Sequence, residues 1–232
     1  EAPSTRWADV GGQRAAKLAL RQAVEWPVQR AAAFANFRLR PARGVLLHGP
    51  PGCAKTLLAR AAAKEARCAF IALSGADVYS PYVGEAEASV RRAFAAAAAA
   101  APAILFFDEV DALVCDRGAG GGGDRVEARV LATFLTCMDG VGGGNAGVLV
   151  VAATNRPHAI DRALLRPGRL EAQVHVALPG NEDRLDVLRV HTRACALAAD
   201  VDFADVARRT RGRSGAELRQ VVSDAGYAAL RR

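Results

Sequence analysis

Short apolar runs alternate with stretches of helical periodicity along most of the chain. Turn residues bound five apolar runs that have the length of buried strands. These runs are 44–48, 68–73, 103–107, 147–153 and 172–177. The stretches between them predict helices, at about 55–66, 85–101 and 124–138. Because strands that alternate with helices form parallel sheets, the pattern predicts an α/β fold whose parallel five-stranded sheet has flanking helices on both faces.

The strand signals stop after Leu178-Pro179-Gly180, and only helical patterns follow. Three helices are predicted, at about 181–193, 202–209 and 214–230. Asn181 is the predicted cap of the first, and Ser214 with Glu217 forms a capping box at the start of the last.

These patterns divide the chain into two predicted domains. We expect a large α/β domain over residues 1–178 and a small all-helical domain over residues 179–232. The chain starts at Glu1 rather than Met and stops inside or just after a helix. We therefore expect a truncated helical domain in a piece of a longer protein.

Composition indicates a globular protein, with 51% hydrophobic and 24% charged residues. The net charge is +7, yet only three of the 31 basic residues are lysines. An anionic partner and an arginine-biased genome both explain this charge, and the absence of a dense basic run favours the bias. No apolar run reaches the length of a membrane span.

The five cysteines point to a compartment rather than to a metal site. Their number is odd and none has CxxC spacing, which favours reduced thiols and argues against zinc. No secretory leader opens the chain. We expect a cytoplasmic protein, with the nucleus as the alternative compartment.

A glycine-rich turn between the first strand and the following helix predicts a phosphate-binding loop. Gly49-Pro50-Pro51-Gly52-Cys53-Ala54-Lys55-Thr56 fits G-x-x-x-x-G-K-[ST] in all but one position, where Ala54 replaces glycine. In such loops backbone N–H groups surround the phosphates, the lysine reaches the β and γ oxygens, and the hydroxyl holds Mg²⁺. The candidate nucleotide contacts here are Pro51, Gly52, Cys53, Ala54, Lys55, Thr56 and Leu57. If position 54 requires a positive φ, alanine has a conformational free-energy cost there that glycine avoids.

Acidic and amide side chains follow two later strands. Asp108 and Glu109 end the apolar run 103–107, at the carboxyl edge where parallel sheets place ligands. Asp108 is predicted to orient Mg²⁺ together with Thr56, and Glu109 to polarise the attacking water. Asn155 follows the fourth strand and is predicted to contact the γ-phosphate or that water.

Two arginines flank a rigid Pro-Gly turn later in the chain. In Leu165-Arg166-Pro167-Gly168-Arg169-Leu170, Arg166 and Arg169 mean little by themselves in so arginine-rich a chain. With a predicted ATP site in the same domain, they become candidates for fingers inserted into a neighbouring subunit's site.

In this order and spacing, the motifs resemble the AAA family of ATPases over essentially the whole chain. The entry segment Trp7-Ala8-Asp9-Val10-Gly11-Gly12 belongs to the resemblance, as do Thr154-Asn155-Arg156-Pro157 and the two-arginine turn. Within the family, the chain is similar to the valosin-containing-protein branch, and especially to the second ATPase domain of the spermatogenesis-associated protein 5-like group. The resemblance implies a P-loop NTPase sheet followed by a helical lid.

The resemblance also implies further contacts. The candidates for the adenine pocket and for the lid side of the nucleotide are Asp9, Gly11, Gly12, His191, Gly215 and Ala216. For His191, a satisfied core histidine is an equal alternative. Tyr82 and Val83 match an aromatic pore loop that grips an extended polypeptide, and the alternative for Tyr82 is a buried aromatic before a helix.

The activity implied is ATP hydrolysis with Mg²⁺, which drives protein unfolding or remodelling of macromolecular complexes by a hexameric ring of AAA subunits. Ribosome-maturation particles are one client class that the resemblance suggests, with no membrane partner. Two alternatives stay open on the same fold: a motor or loader stimulated by nucleic acid, and a scaffold that binds ATP without hydrolysing it. The aromatic loop counts against nucleic acid as a direct ligand, and the intact Asp108 and Glu109 count against the scaffold.

Overall fold

A computed structural model describes residues 3–75, 84–113, 124–141 and 147–231. Its central layer is a parallel five-stranded sheet in the order β2-β3-β4-β1-β5. The strands are β1 (Gly44–His48), β2 (Ala69–Ser74), β3 (Ala103–Asp108), β4 (Val148–Thr154) and β5 (Ala172–His175). The predicted fold class is confirmed, and β5 ends two residues early. The Val176 N–H still donates to the His48 carbonyl of β1 at 2.8 Å, and the Ala177 carbonyl accepts a hydrogen bond from the Gln13 side-chain amide, 2.8 Å away.

Helices cover both faces of this sheet. The α-helices before the last strand are α1 (Arg14–Leu20), α2 (Trp26–Gln29), α3 (Ala31–Asn36), α4 (Lys55–Glu65), α5 (Glu85–Ala99) and α6 (Asp124–Val141). Side chains of β3 alternate between the two faces: Leu105 and Phe107 pack with α5 and α6, while Ile104 and Phe106 join the core on the α1 and α4 side. A strand buried on both faces explains why its sequence is apolar without alternation.

The helical segment before β1 has no counterpart in the sequence-based prediction. A π-helical stretch, Arg21–Glu25, joins α1 to α2. Ala16, Leu20 and Val24 are buried against the α4 side of the sheet. Their i, i+4, i+8 spacing is a helical stripe, but it is short and contains a small alanine.

Three helices follow the sheet: α7 (Asn181–Thr192), α8 (Phe203–Arg209) and α9 (Gly215–Leu230). They enclose a small core of their own, whose buried members are Val187, Leu188, Ala207 and Leu218. Among the described residues, no helix combines the length and apolarity needed to cross a membrane.

The caps of these helices test two predictions. Ser214 caps α9 as expected, because its hydroxyl accepts the Glu217 N–H and the Glu217 carboxylate accepts the Ser214 N–H. The prediction for Asn181 is wrong, since Gly180 is the N-cap of α7. The Asp183 carboxylate accepts the Gly180 N–H at 3.2 Å, which satisfies that end of the helix from within.

Candidate active site

A cleft of about 730 Å³ opens at the carboxyl edge of the sheet, between the strand ends, the entry segment and the helices α7 and α9. It brings together most of the residues predicted for the nucleotide. Those that line it are Asp9, Gly11, Pro51, Gly52, Cys53, Ala54, Lys55, Thr56, Leu57, Asp108, Glu109, Asn155, His191, Gly215 and Ala216. The cleft therefore joins residues from both predicted domains.

The loop between β1 and α4 turns through two left-handed residues. Gly52 has φ 72°, and Ala54 has φ 69°. A Cβ atom on Gly52 would lie 2.9 Å from Ser214 Oγ, so glycine is needed there for space as well as conformation. Ala54 adopts the conformation that its replacement of glycine put in question, at a cost of about 1–2 kcal/mol for an L-residue.

Lys55 is 8% exposed and its ammonium has three acceptors. It donates to the carbonyls of Gly49 at 2.9 Å and Pro50 at 2.8 Å, and to Asn155 Oδ1 at 2.7 Å. Burial lowers the pKa of Lys55, and the nearby carboxylate of Asp108 opposes that shift. The contact with Asn155 joins the phosphate loop to the tip of β4.

Thr56 and Asp108 form the second link across the cleft. Thr56 Oγ1 donates to Asp108 Oδ2 at 2.7 Å, while the other carboxylate oxygen accepts the Glu109 N–H at 3.1 Å. A hydroxyl and a carboxylate are the hard oxygen donors that Mg²⁺ takes at phosphate sites. The donor set therefore fits Mg²⁺. Glu109 has a left-handed φ of 49°, and its side chain is exposed in the cleft.

Two further residues order the strand tips and were missed from the sequence. Thr154, the buried last residue of β4, donates to Asp111 Oδ1 at 2.7 Å and accepts the Arg156 N–H at 2.8 Å. These bonds flank Asn155 and fix the turn that carries it. Asp111 stands two residues after Glu109. This third acidic residue, close after Asp108 and Glu109, was the sequence signal that could have indicated its role.

The entry segment, Trp7–Gly12, forms one wall of the cleft. Arg193 holds it to α7, donating to Asp9 Oδ1 at 3.2 Å and to the Ala8 carbonyl at 2.8 Å. A Cβ atom on Gly11 would lie 2.5 Å from Val187 Cα, so the segment runs directly against α7. His191, half-buried, lines the same end, and burial lowers its pKa.

Gly12 is the predicted contact that the cleft does not include. It borders a neighbouring hollow instead, and a Cβ atom there would lie 2.4 Å from Asp183 Oδ1. Its left-handed φ of 62° and this close approach to α7 account for glycine at the position.

The helix α9 meets the phosphate loop directly. The Ala216 N–H donates to the Gly52 carbonyl at 3.1 Å. The Cβ that Gly215 lacks would lie 3.3 Å from the same carbonyl oxygen. The first turn of α9 thus closes over the loop that is predicted to hold phosphate.

The two predicted finger arginines lie at the other edge of the sheet. They precede β5, whose first residue Ala172 pairs with Val45 near the start of β1. The phosphate loop follows the end of β1, and five strand residues span about 16 Å. Neither Arg166 nor Arg169 lines the cleft of its own chain.

These arginines also differ from each other. Arg169 donates to both carboxylate oxygens of Asp139, at 2.9 and 2.7 Å, and to the Ala163 carbonyl at 2.8 Å. Its hydrogen bonds hold the pKa of Asp139 below the usual range. The Arg166 side chain is exposed and makes no hydrogen bond or ion pair within the described ranges. The predicted pore residues Tyr82 and Val83 lie outside the described residues.

Comparison with known proteins agrees with this geometry. Residues 45–178 match the family model described as ATPase family associated with various cellular activities (AAA). The chain belongs to the AAA family of ATPases. Residues 200–232 match the model of the AAA+ lid domain, so α8 and α9 of this AAA chain belong to the lid.

Curated relatives of the AAA chain align along essentially its whole length. Cell division control protein 48 homolog B of Arabidopsis thaliana is 48% identical over 100% of the chain and 38% of its own length. The cell division cycle protein 48 homolog of Archaeoglobus fulgidus is 44% identical, over 100% and 31%. ATPase family gene 2 protein homolog A of Homo sapiens is 42% identical, over 99% and 26%. The chain thus spans well under half of each of these relatives.

Several residues that line the cleft were not predicted from the sequence. They are Thr154, Val187, Arg219, Gln220 and Ser223. The last three continue the face of α9 that begins at Gly215 and Ala216, at helical spacing. Once Gly215 and Ala216 were predicted to contact the nucleotide, this spacing could have identified the three residues as further lining of the cleft.

Proposed function

We propose that this AAA chain is one ATPase domain of a ring that hydrolyses ATP to remodel protein complexes. The observation that carries the hydrolytic part is the pair of short contacts across the cleft, Lys55 to Asn155 and Thr56 to Asp108, both 2.7 Å. They join the phosphate loop to two strand tips. Such preorganisation supports transition-state stabilisation and is not needed by a scaffold that only binds ATP.

Each polar group has a task in this proposal. Lys55 exchanges its Asn155 contact for phosphate oxygens, and the released amide of Asn155 then orients the γ-phosphate or the water. Thr56 and Asp108 hold Mg²⁺, which when bound neutralises charge on the β- and γ-phosphates. Glu109 accepts the proton of the attacking water as the water oxygen bonds to the γ-phosphorus and the bond to the β-phosphate oxygen breaks.

Arg166 completes the site from a second subunit. Its side chain is exposed, without a partner among the residues that the structure describes, and a strand length away from its own phosphate loop. An arginine finger supplied in trans needs that freedom. Arg169, bonded to Asp139, has the complementary task of holding the Pro-Gly turn that presents Arg166.

The remodelling part of the proposal is supported by family membership and by the relatives named above. A hexamer, a protein client gripped by Tyr82 and Val83, and a cytoplasmic or nuclear location belong to this proposal. The boundary between ATPase core and lid near residue 178 does as well. Ribosome-maturation particles are the client class to examine first.

The deciding experiment measures ATP turnover per chain against protein concentration, for the parent chain, Arg166→Ala and the control Arg162→Ala. Arg162 is an exposed arginine on the short helix just before Arg166. We expect turnover of the parent and the control to rise with concentration, and Arg166→Ala to lose about 10³-fold or more. Turnover that depends on neither concentration nor Arg166 contradicts the shared site, and a parent that binds ATP without hydrolysing it identifies a scaffold.

A further inference from the structure

A hollow of about 340 Å³ lies outside the nucleotide cleft, between the entry segment, α1 and α7. Among the described residues that line it, four are cationic and one is acidic. The cations are Arg14, Lys17, Arg189 and Arg193, and the acid is Asp186. We call these five residues and the space between them the basic hollow. They are separate from the residues that line the nucleotide cleft.

Two arginines of the basic hollow are only loosely paired. Arg14 approaches Glu182 at 3.6 Å, with 77% and 83% of their side chains exposed. Arg189 approaches Asp186 at 4.0 Å, also with both side chains partly in water. Because such exposed pairs contribute little to stability, their members can exchange partners at low cost. Both guanidinium groups are therefore available to an anionic ligand.

Lys17 is half-buried in the basic hollow and is not paired with an acid. Its ammonium donates to the Val10 carbonyl at 2.5 Å and forms no ion pair among the residues that the structure describes. Burial lowers the pKa of Lys17, and the charge of Asp186 opposes this shift. An ammonium has three donors, so two remain for acceptors that a ligand brings.

The arrangement favours an acidic segment of a polypeptide over a nucleic acid. Acids stand among the cations, since Glu182 and Asp186 lie beside the arginines that approach them. A peptide suits both signs, because its carboxylates accept from cations while its backbone N–H groups donate to acids. A phosphate backbone lacks such donors. Trp7, the aromatic residue among the described lining, is only 8% exposed, so it offers no open ring for base stacking.

The basic hollow shares a wall with the nucleotide cleft. Val10 and Gly11 line both spaces. From the side of the hollow, Lys17 donates to the Val10 carbonyl, and Arg193 donates to Asp9 Oδ1 at 3.2 Å. Two cations of the hollow therefore hold the segment whose other side faces the cleft.

We propose that the basic hollow binds an acidic segment of a partner polypeptide, and that this binding raises the affinity of the adjoining cleft for nucleotide. Carboxylates of the segment bind Arg14, Lys17 and Arg189. A ligand that bridges α1 and α7 restrains the entry segment between them, so less ordering remains when nucleotide binds. The coupling rests on the proposed function, in which the cleft holds ATP, whereas binding of the acidic segment does not.

The first test measures the dissociation constant of fluorescently labelled hexaglutamate by anisotropy, at low ionic strength, for the 232-residue chain and two double variants. One combines Arg14→Ala with Arg189→Ala. The control combines Arg208→Ala with Arg209→Ala, two exposed arginines that pair with Asp205 outside the hollow. We expect the first double variant to bind hexaglutamate about fivefold or more weakly than the parent, and the control to stay within about twofold of it.

A second matched pair tests the half-buried cation. Lys17→Gln should weaken hexaglutamate binding, and Lys64→Gln, which removes a lysine outside the hollow, should not. Equal hexaglutamate affinity in the Arg14/Arg189 double variant and its control overturns the site. An oligodeoxythymidine strand that binds more tightly than hexaglutamate, and is lost in the same variant, overturns the assignment to a polypeptide. If that double variant fails to fold by circular dichroism, the two lysine variants carry the comparison.

The coupling has its own measurement. Saturating hexaglutamate should lower the dissociation constant of ADP about fivefold in the parent, and ADP should strengthen hexaglutamate binding by the same factor. The double variant of Arg14 and Arg189 should show neither effect. Unchanged ADP affinity overturns the coupling, and weakened ADP binding shows that the peptide occupies the cleft and overturns the inference. A parent that binds hexaglutamate through the hollow but binds no ADP or ATP overturns the proposed function and supports the hollow as a separate site.

Discussion

The two edges of the central sheet are built in contrasting ways. At the carboxyl edge, Lys55, Thr56, Asp108 and Asn155 bond to one another across the cleft at distances close to 2.7 Å. At the amino edge, Arg169 is tied to Asp139 while the Arg166 side chain beside it has no partner among the described residues. One edge is organised by contacts among its own side chains, and the other presents Arg166 outward.

The contrast indicates which edge can work by itself. Groups that already bond to one another need only exchange partners when phosphate enters, so little ordering remains to be done at that moment. An exposed arginine contributes only when a second surface brings an anion to it. Binding should therefore be a property of the single chain, and fast hydrolysis a property of two chains in contact.

The largest effect expected inside the carboxyl edge comes from Glu109→Gln. Loss of the proton acceptor should lower kcat by about 10²–10⁴-fold, while the dissociation constant for ATP stays close to that of the parent. Single-turnover hydrolysis and equilibrium ATP binding measure the two quantities. The control Glu182→Gln removes an exposed carboxylate outside the cleft. If Glu109→Gln hydrolyses ATP at the parent rate, the base lies elsewhere.

At the amino edge, Arg169 and Arg166 are best distinguished by how much each contributes to the free energy of unfolding. Arg169→Ala removes two hydrogen bonds to Asp139 and one to the Ala163 carbonyl. Because Asp139 is largely exposed, we expect a loss of about 1–2 kcal/mol in the free energy of unfolding. Arg166→Ala should change it by less than about 0.5 kcal/mol. Urea denaturation of both variants tests this, and equal stabilities would mean that the Asp139 contact does not hold the turn.

The smallest effect concerns the alanine of the phosphate loop. Ala54 has φ 69°, where glycine avoids the steric cost but loses more backbone entropy on folding. Ala54→Gly should therefore raise the free energy of unfolding by up to about 1 kcal/mol. Ala96→Gly is the matched control on the exposed side of α5 and should lower it by about 0.5–1 kcal/mol. A shift of the same sign in both variants, measured by urea denaturation, would contradict strain at Ala54.

The sheet and most of the cleft were predictable because local pattern determines them. Each strand is an apolar run that ends in turn or polar residues, and the polar residues at the ends of β1, β3 and β4 must meet at one edge of a parallel sheet. The phosphate loop carries its own glycines and lysine. These features need no knowledge of distant contacts.

What the sequence did not predict depends on contacts between distant segments. Asp139 lies 30 residues before Arg169, and no local spacing signals that their side chains meet. The N–H of Gly180, the N-cap of α7, donates to the carboxylate of Asp183 inside the helix. Asn181, a residue type that favours N-caps, was therefore wrongly predicted as the cap. Assigning Arg219 to the cleft required the orientation of α9. That orientation depends on the contact between the Ala216 N–H and the Gly52 carbonyl, which are far apart in the sequence.

The bond between the Ala216 N–H and the Gly52 carbonyl has a mechanical consequence. Gly52 turns through a left-handed conformation and is the most deformable residue type in the loop. Any rotation of its peptide that lets the loop grip or release a phosphate also displaces the carbonyl to which α9 is bonded. The loop and the first turn of α9 are therefore coupled through this bond, and a displacement of the loop is expected to be larger at the far end of the 16-residue helix than at its start.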